Sequence, residues 1–373
     1  MLTGPEGTRT CTRCVMDASD PDITFDEAGV CSHCQLWERR DRPTWFPNEE
    51  GARRWAAWVE KIKADGRGKD YDCILGISGG ADSAYLAWKL RDHGLRILAV
   101  HVDGGWNSEV SVANIELLVK RLKIDLFTHV VDWEEMRDLQ LAFFRSGVAN
   151  QDTPQDHAFF AQLYRQATSH RIGYFLSGGN LATECVLPRS WGYTAMDRRH
   201  LRAIHRRFGT RRLRSFPTVS FLDMYLVNPY LRGFRTLRPL DLMVYRKAEA
   251  KRELAEGLGW RDYGEKHHES RFTKFFQSWY LPVKFGFDKR KAHLSSMILT
   301  SQITREEALA ELQRPSFDAA TLDEDKRFIA KKLGISGDEF EAILAQPNRS
   351  WRDYPSNAKL FLLKEHAVRW LRR

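Results

Sequence analysis

No stretch of this chain approaches the run of about 20 apolar residues that spans a bilayer. No apolar stretch follows the basic residues of the opening MLTGPEGTRTCTRC either. A membrane partner and a secretory signal are therefore not expected. Six cysteines in 373 residues are too few for a disulfide framework. Together these absences point to a cytoplasmic protein in a reducing compartment. There is no internal repeat and no low-complexity tail, so solenoid and tail-like organisations are set aside.

What is present suits a globular protein with a sizeable core: 43% hydrophobic and 29% charged residues. The length fits one large domain with attachments, or two domains. Lys and Arg number 58 against 49 Asp and Glu, a net charge of +9. A basic surface attracts anions, whether nucleic acid, nucleotides or sugar nucleotides. Much of the excess is local, with eight arginines between Arg198 and Arg214. That run reads equally well as a solvated helix face and as an anion-binding one.

Four segments are expected. Residues 1–45 carry two CxxC pairs, and 46–70 read as a helical linker. Residues 71–215 alternate strands with helices, and 216–373 are mostly helical. In the third segment YDCILGIS, RILAVHVD, LFTHVVD and GYFLSGGN read as strands, and the intervening amphipathic stretches as helices. This order predicts an α/β fold with a parallel sheet covered on both faces. Ligands of such sheets bind at the carboxyl ends of the strands. Ser78-Gly79-Gly80-Ala81-Asp82-Ser83, Asp103 and Ser177-Gly178-Gly179-Asn180 all fall there.

The first of these strings sits where a buried strand turns into a helix. Two glycines allow close approach of the backbone to an anion, and the helix start supplies amide donors. Ser78 and Ser83 add hydroxyls, and Asp82 suits the Mg2+ that accompanies ATP. No lysine follows the glycines, so this is not the GxxxxGK[ST] loop. A structural turn is the plainer alternative, as a strand-end turn is for Asp103.

Cys11-x-x-Cys14 and Cys31-x-x-Cys34 offer four soft ligands able to close a structural, tetrahedral zinc site of ribbon type. His33 reads as a turn residue, and Cys73 as core. Cys185 lies alone near the expected site, whereas sulfur transfer wants a pair or triad of cysteines there. Beyond the fourth strand, Asn180, Thr183 and Glu184 supply polar groups for a substrate or magnesium pocket. Lys266-His267-His268-Glu269 combines an acid/base pair with a cation, suited to moving protons near neutral pH.

The string SGGADS resembles the loop of the PP-loop ATP pyrophosphatases (HUP-like, adenine nucleotide alpha hydrolase fold) at every fixed position. The resemblance implies that Ser78, Gly79, Gly80, Asp82 and Ser83 hold the pyrophosphate end of ATP, with Asp103 and Gly178 completing the nucleotide site. More widely, CTRCVMD, CSHC, ISGGADSAY, HVDGGWNSE, SGGNLATE, SWGY, IHRRFG and KHHESRFTKFFQSWYLPVKFGFDKRKAHLSSMI resemble the N-acetyl sugar amidotransferases of bacterial surface-polysaccharide pathways. That family implies adenylation of the acetamido oxygen of a nucleotide-activated sugar, then attack by ammonia to give an acetamidine. It implies Trp191 and Arg198 at the substrate beside Asn180, Thr183 and Glu184, and catalytic roles for Asp82, Lys266, His267, His268 and Glu269. It also implies two partners, a glutaminase subunit that makes ammonia and a cyclase-like barrel subunit. A nucleic-acid partner is not expected. Two other readings stay open: a PP-loop tRNA thiolase, and a non-catalytic zinc-ribbon interaction protein.

Overall fold

The computed structural model describes residues 9–263 and 270–371, the last six for their backbone alone. The four expected strands form: β1 (Cys73–Gly76), β2 (Ile97–Asp103), β3 (Asp125–Val130) and β4 (Tyr174–Leu176). A fifth, β5 (Arg235–Leu237), pairs with β4 from the segment read as helical. Its three residues, two of them exposed, carry no alternating apolar signal, which is why the pattern hides it. The sheet therefore extends past the boundary expected at residue 215.

All pairings are parallel, in the order β3-β2-β1-β4-β5. The chain moves outward from β1 to β3, then returns to the other side of β1 with β4. That reversal opens a crevice beyond the carboxyl ends of β1 and β4.

Side chains alternate across the sheet. Ile74, Leu98, Val100 and Phe175 pack with Leu163 and Ala167 of helix Thr153–Ser169. Leu75, Ile97, Ala99 and Leu176 share a core with Leu86 and Leu90 of helix Ala81–Leu90 and with Ile115 and Leu118 of helix Glu109–Leu122. The same core takes Leu254 and Leu258 from helix Lys247–Leu258, and Trp55, Val59 and Ile62 from helix Glu49–Asp65. The last of these was expected as a linker. Capped by Asn48, whose side chain accepts from Gly51 N at 3.1 Å, it is part of the packed body.

The region after residue 270 is helical, as expected. It closes an aromatic core on helix Trp133–Ser146, where the Phe144 ring lies 5.8 Å from Phe272, 5.7 Å from Tyr280 and 5.3 Å from Phe340. The arginine run starts with helix Arg198–Phe208. Its following loop is tied down by two buried carboxylates, Asp138 on Thr210 and Arg211, and Glu135 on the amides of 214–216. Burial raises Asp138, but the hydrogen bonds from Thr210, Arg211 and His205 outweigh it and hold the carboxyl below its ordinary value. Arg199, Arg202, Arg206, Arg212 and Arg214 remain exposed. No helix among the described residues is long and apolar enough to cross a membrane.

Candidate active site

The turn after β1 is built as a cradle. Gly79 sits at φ 80°, and a Cβ there would lie 2.5 Å from the Ser111 carbonyl oxygen, so only glycine fits. Gly80 opens helix Ala81–Leu90 without a side-chain cap, the arrangement that leaves a helix start to an anion. Ser78 Oγ accepts from Gly80 N at 3.2 Å, and Ser83 Oγ donates to Gly80 O at 3.2 Å, holding the turn open. The turn after β4 meets it directly: a Cβ on Gly178 would come within 3.0 Å of the Ser83 backbone. The two glycine turns thus face each other at the strand-order switch, and the residues present suit a nucleotide pyrophosphate.

Three groups from beyond residue 240 complete this end. Trp260 Nε1 donates to Gly79 O at 3.1 Å, Ala81 N donates to Tyr263 Oη at 3.1 Å, and Tyr245 donates its hydroxyl to Asp82 Oδ1. Burial and the Asp82 charge push Tyr245 well above the ordinary tyrosine range, so it stays a donor.

A cleft of about 1220 Å³ runs from this cradle, past Glu184 and the loop 187–195, to the C-terminal segment around Trp351 and Phe361. That exceeds the roughly 300–1,000 Å³ of a site for one drug-sized ligand, so it has room for a nucleotide and a second substrate. Lys247, Lys251 and Lys289 supply cations along it, and Asp152 and Asp156 carboxylates. The enclosing walls, with Asp152 adding repulsion and Lys289 opposing, push Asp156 up to about 7.

Several expected residues lie elsewhere. Asp103 is not among the described residues lining the cleft. Its carboxylate accepts from Gly105 N at 2.7 Å and Asn107 Nδ2 at 3.1 Å, closing the HVDGGWN turn. Asn180 and Thr183 are buried behind the β4 turn, where Asn180 Oδ1 accepts from Thr183 N at 2.9 Å as a helix cap. Arg198 is the first residue of its helix and does not line the cleft. Ser78, Gly80, Asp82, Ser83, Gly178, Glu184 and Trp191 do line it. Lys266, His267, His268 and Glu269 lie outside the described residues. Ser270 and Thr273, which follow them, line the cleft. The sequence reading missed Tyr245, Tyr263 and the Asp152/Asp156 pair. The pair's four-residue spacing at a helix start was visible, but acids there ordinarily serve the helix.

The cysteines converge as their spacing requires. All four are fully buried with ligand atoms within 4.8 Å of one another, and Sγ separations are 3.8 Å (Cys11–Cys34), 3.7 Å (Cys14–Cys31) and 3.6 Å (Cys31–Cys34). Around one tetrahedral ion about 2.3 Å from each sulfur, the sulfurs stand about 3.8 Å apart. The four thiolates could therefore hold a single metal ion. A [4Fe–4S] cluster places each thiolate on its own iron and spreads them further. The module is docked firmly: Arg305 donates to Cys14 O and Cys11 O at 3.1 and 3.0 Å, and Val15 N donates to Ser295 Oγ at 3.2 Å. It also reaches the cleft, which Pro21 and Asp22 line. His33, expected as a turn residue, pairs with buried Asp20 at 2.7 Å.

Comparison with known proteins bears on several parts of the chain. Residues 269–367 match the family described as LPS biosynthesis protein WbpG-like, C-terminal domain. The tRNA(Ile)-lysidine synthases of Chlamydia pneumoniae and Chlamydia felis (strain Fe/C-56) are each 32% identical, over 118 and 126 residues. Each match takes in 31% of this chain, and 34% and 35% of those proteins, so the chain spans about a third of the length of the curated relatives it matches. Among solved structures, NMN synthetase from Francisella tularensis is 13% identical with a TM-score of 0.32, covering 76% of this chain and 93% of that one. The U34-tRNA thiolase NcsA from Methanococcus maripaludis, with its [4Fe-4S] cluster, is 13% identical with a TM-score of 0.33, covering 84% and 90%. Likenesses this loose carry no functional weight. The sheet order and the glycine cradle themselves give the chain a parallel α/β fold with a phosphate-loop-like turn at its strand-order switch, joined to an N-terminal four-cysteine cluster and a helical C-terminal region that contains the matched residues 269–367.

Proposed function

We propose that this chain is an ATP-dependent amidotransferase that converts the acetamido group of a nucleotide-activated N-acetyl sugar into an acetamidine, in bacterial surface-polysaccharide (O-antigen or related) biosynthesis. The observation that carries the ATP half is the pair of facing glycine turns opening onto a cleft with room for a second substrate. The acceptor half is supported by the WbpG-like match over residues 269–367.

Ser78, Gly79, Gly80 and Ser83 receive the pyrophosphate end of ATP, and Gly178 closes the far side. Asp82, held by Tyr245, would keep the Mg2+ that neutralises the phosphates. The acetamido oxygen attacks the α-phosphorus, expelling pyrophosphate and leaving an O-adenylated imidate. Ammonia adds to its carbon, AMP departs with the oxygen, and loss of a proton leaves the amidine. An amide oxygen is a poor leaving group and AMP a good one, so adenylation removes the main barrier. Glu184 and Trp191 contact the acceptor, and Lys266, His267, His268 and Glu269 handle the proton of the incoming amine. Asn180, Thr183 and Asp103 serve by shaping the two turns. The four cysteines hold a structural Zn2+. Ammonia comes from a separate glutaminase with a cyclase-like barrel subunit, all in the cytoplasm.

Sulfur transfer fits less well. Burial pushes the Cys185 thiol up to about 12, which keeps it protonated, and Cys73 is buried in β1. The exposed arginines at 199, 202, 206, 212 and 214 favour tRNA as the second reading. RNA that copurifies and dissociates with salt would mark it. The first reading is tested by pyrophosphate release with and without a nucleotide-linked diacetamido sugar. Release must depend on the sugar.

A further inference from the structure

The far arm of the cleft, away from the glycine cradle, is assembled from three distant parts of the chain. Asp20, 2% exposed, comes from the cysteine module and accepts from Ser190 Oγ and from His33 Nε2. Asn150 Nδ2 donates to Tyr193 O at 3.0 Å. The opposite wall comes from beyond residue 350. Asn357 Nδ2 donates to Asp197 Oδ1 at 3.0 Å, the Tyr193 hydroxyl donates to Asp197 Oδ2 at 2.8 Å, and Trp351 stacks on Tyr193 at 4.2 Å and 13°. The two walls are cross-tied before any ligand arrives, as a preorganised binding site requires.

The charges on this arm are unequal. Arg189 is taken by Glu365 at 2.8 Å. The Arg352 guanidinium has no carboxylate partner among the described residues and lies 4.7 Å from the Trp351 ring centre. Arg352 lines the cleft, and with Tyr193 and Trp351 it also lines a second cavity of about 170 Å³. A planar fork of donors beside indole and phenol rings suits a ligand with a flat or ring-shaped body next to a phosphate.

We infer that this arm is a nucleoside-diphosphate subsite, with Arg352 on the phosphates and the Tyr193/Trp351 pair walling the nucleoside. The inference rests on the reading of a nucleotide-activated acceptor and places that acceptor in the cleft. Its reactive acetamido end then lies toward the glycine cradle.

The test is calorimetric titration of UDP, CDP, GDP and dTDP into the full chain with the cradle saturated by a non-hydrolysable ATP analogue and Mg2+. One of the four should bind at a second site. Arg352→Gln should weaken it about 10- to 100-fold, the worth of a charged hydrogen-bonded contact. Trp351→Leu should weaken it too, while the ATP analogue binds both variants as it does the parent, showing that they fold. Unchanged diphosphate affinity in Arg352→Gln overturns the assignment, and so does the absence of any second site in the parent. The amidotransferase reading fails separately: a diphosphate binds the arm, yet no sugar is converted to an amidine.

Discussion

Tyr245 donates its hydroxyl to Asp82 across 163 positions of sequence, joining the start of the phosphate-loop helix to the segment that enters helix Lys247–Leu258. The ring packs against Tyr85 at 5.3 Å, so the contact is fixed from both sides. One oxygen of Asp82, a residue that lines the cleft, is thus held by a residue from the other half of the chain.

Two variants separate aim from chemistry. Asp82→Ala should keep fold and metal content but lose pyrophosphate release. Tyr245→Phe, which keeps the ring, should lower the rate about tenfold with the KM for ATP little changed, the effect of removing one hydrogen bond to a charged group. Undiminished turnover in Asp82→Ala would take that carboxylate out of the site.

The cysteine module should carry one metal ion per chain. Elemental analysis should give one zinc per chain; the sulfur separations of 3.6–3.8 Å suit a single tetrahedral ion, and the reading of a structural zinc names it. Cys34→Ser or strong chelation should remove the ion and lower the melting temperature. It should also weaken acceptor binding more than ATP binding, because Asp20 and Asp22 link this module to the far arm of the cleft. Iron at several atoms per chain would contradict the single-ion geometry.

Stability should fall on mild acidification. His157 is wholly buried and neutral, its Nδ1 donating to Ala195 O at 2.8 Å and its Nε2 accepting from Val219 N at 3.2 Å. Burial lowers it from 6.5 to about 4, and lowers buried His200 to about 4 as well. Since the unfolded chain takes up these protons first, the stabilisation is complete above pH 6.5. It is lost as pH falls through 4, on the order of 3 kcal/mol for each ring. His200 Nε2 has no hydrogen-bond partner among the described residues, so His200→Phe is the informative variant. Denaturant midpoints between pH 7 and 4 should fall less steeply in it than in the parent. An identical slope would remove His200 from the acid limb.

Cys185→Ser should leave turnover near normal, because a thiol pushed up to about 12 by burial is not a nucleophile at neutral pH. Loss of activity without unfolding would favour sulfur chemistry.

The parts of this architecture written in local pattern were legible in advance. Apolar runs ending in glycine marked β1 and β4, and the CxxC spacing marked the four-cysteine cluster, because both signals lie within a few residues of each other. What was hidden depends on partners far along the chain. β5 is three residues with little apolar content and is a strand only because β4 lies beside it. Asp103, Asn180 and Thr183 have the polar character of ligands, yet their side chains satisfy their own turns, the commoner use of such residues at strand ends and helix starts. Tyr245 reaches Asp82, and Arg352 the cleft, through tertiary packing that no spacing encodes.

The most direct measurement is a mass-spectrometric assay with ATP, Mg2+, ammonium chloride and a panel of nucleotide-linked diacetamido sugars. One sugar should lose about 1 Da, the exchange of oxygen for NH, with AMP and pyrophosphate formed in step, one of each per turnover, as expected when AMP is the leaving group. AMP formation with every sugar unchanged would contradict the acceptor assignment while leaving the adenylating half standing, and tRNA would be the next substrate to test.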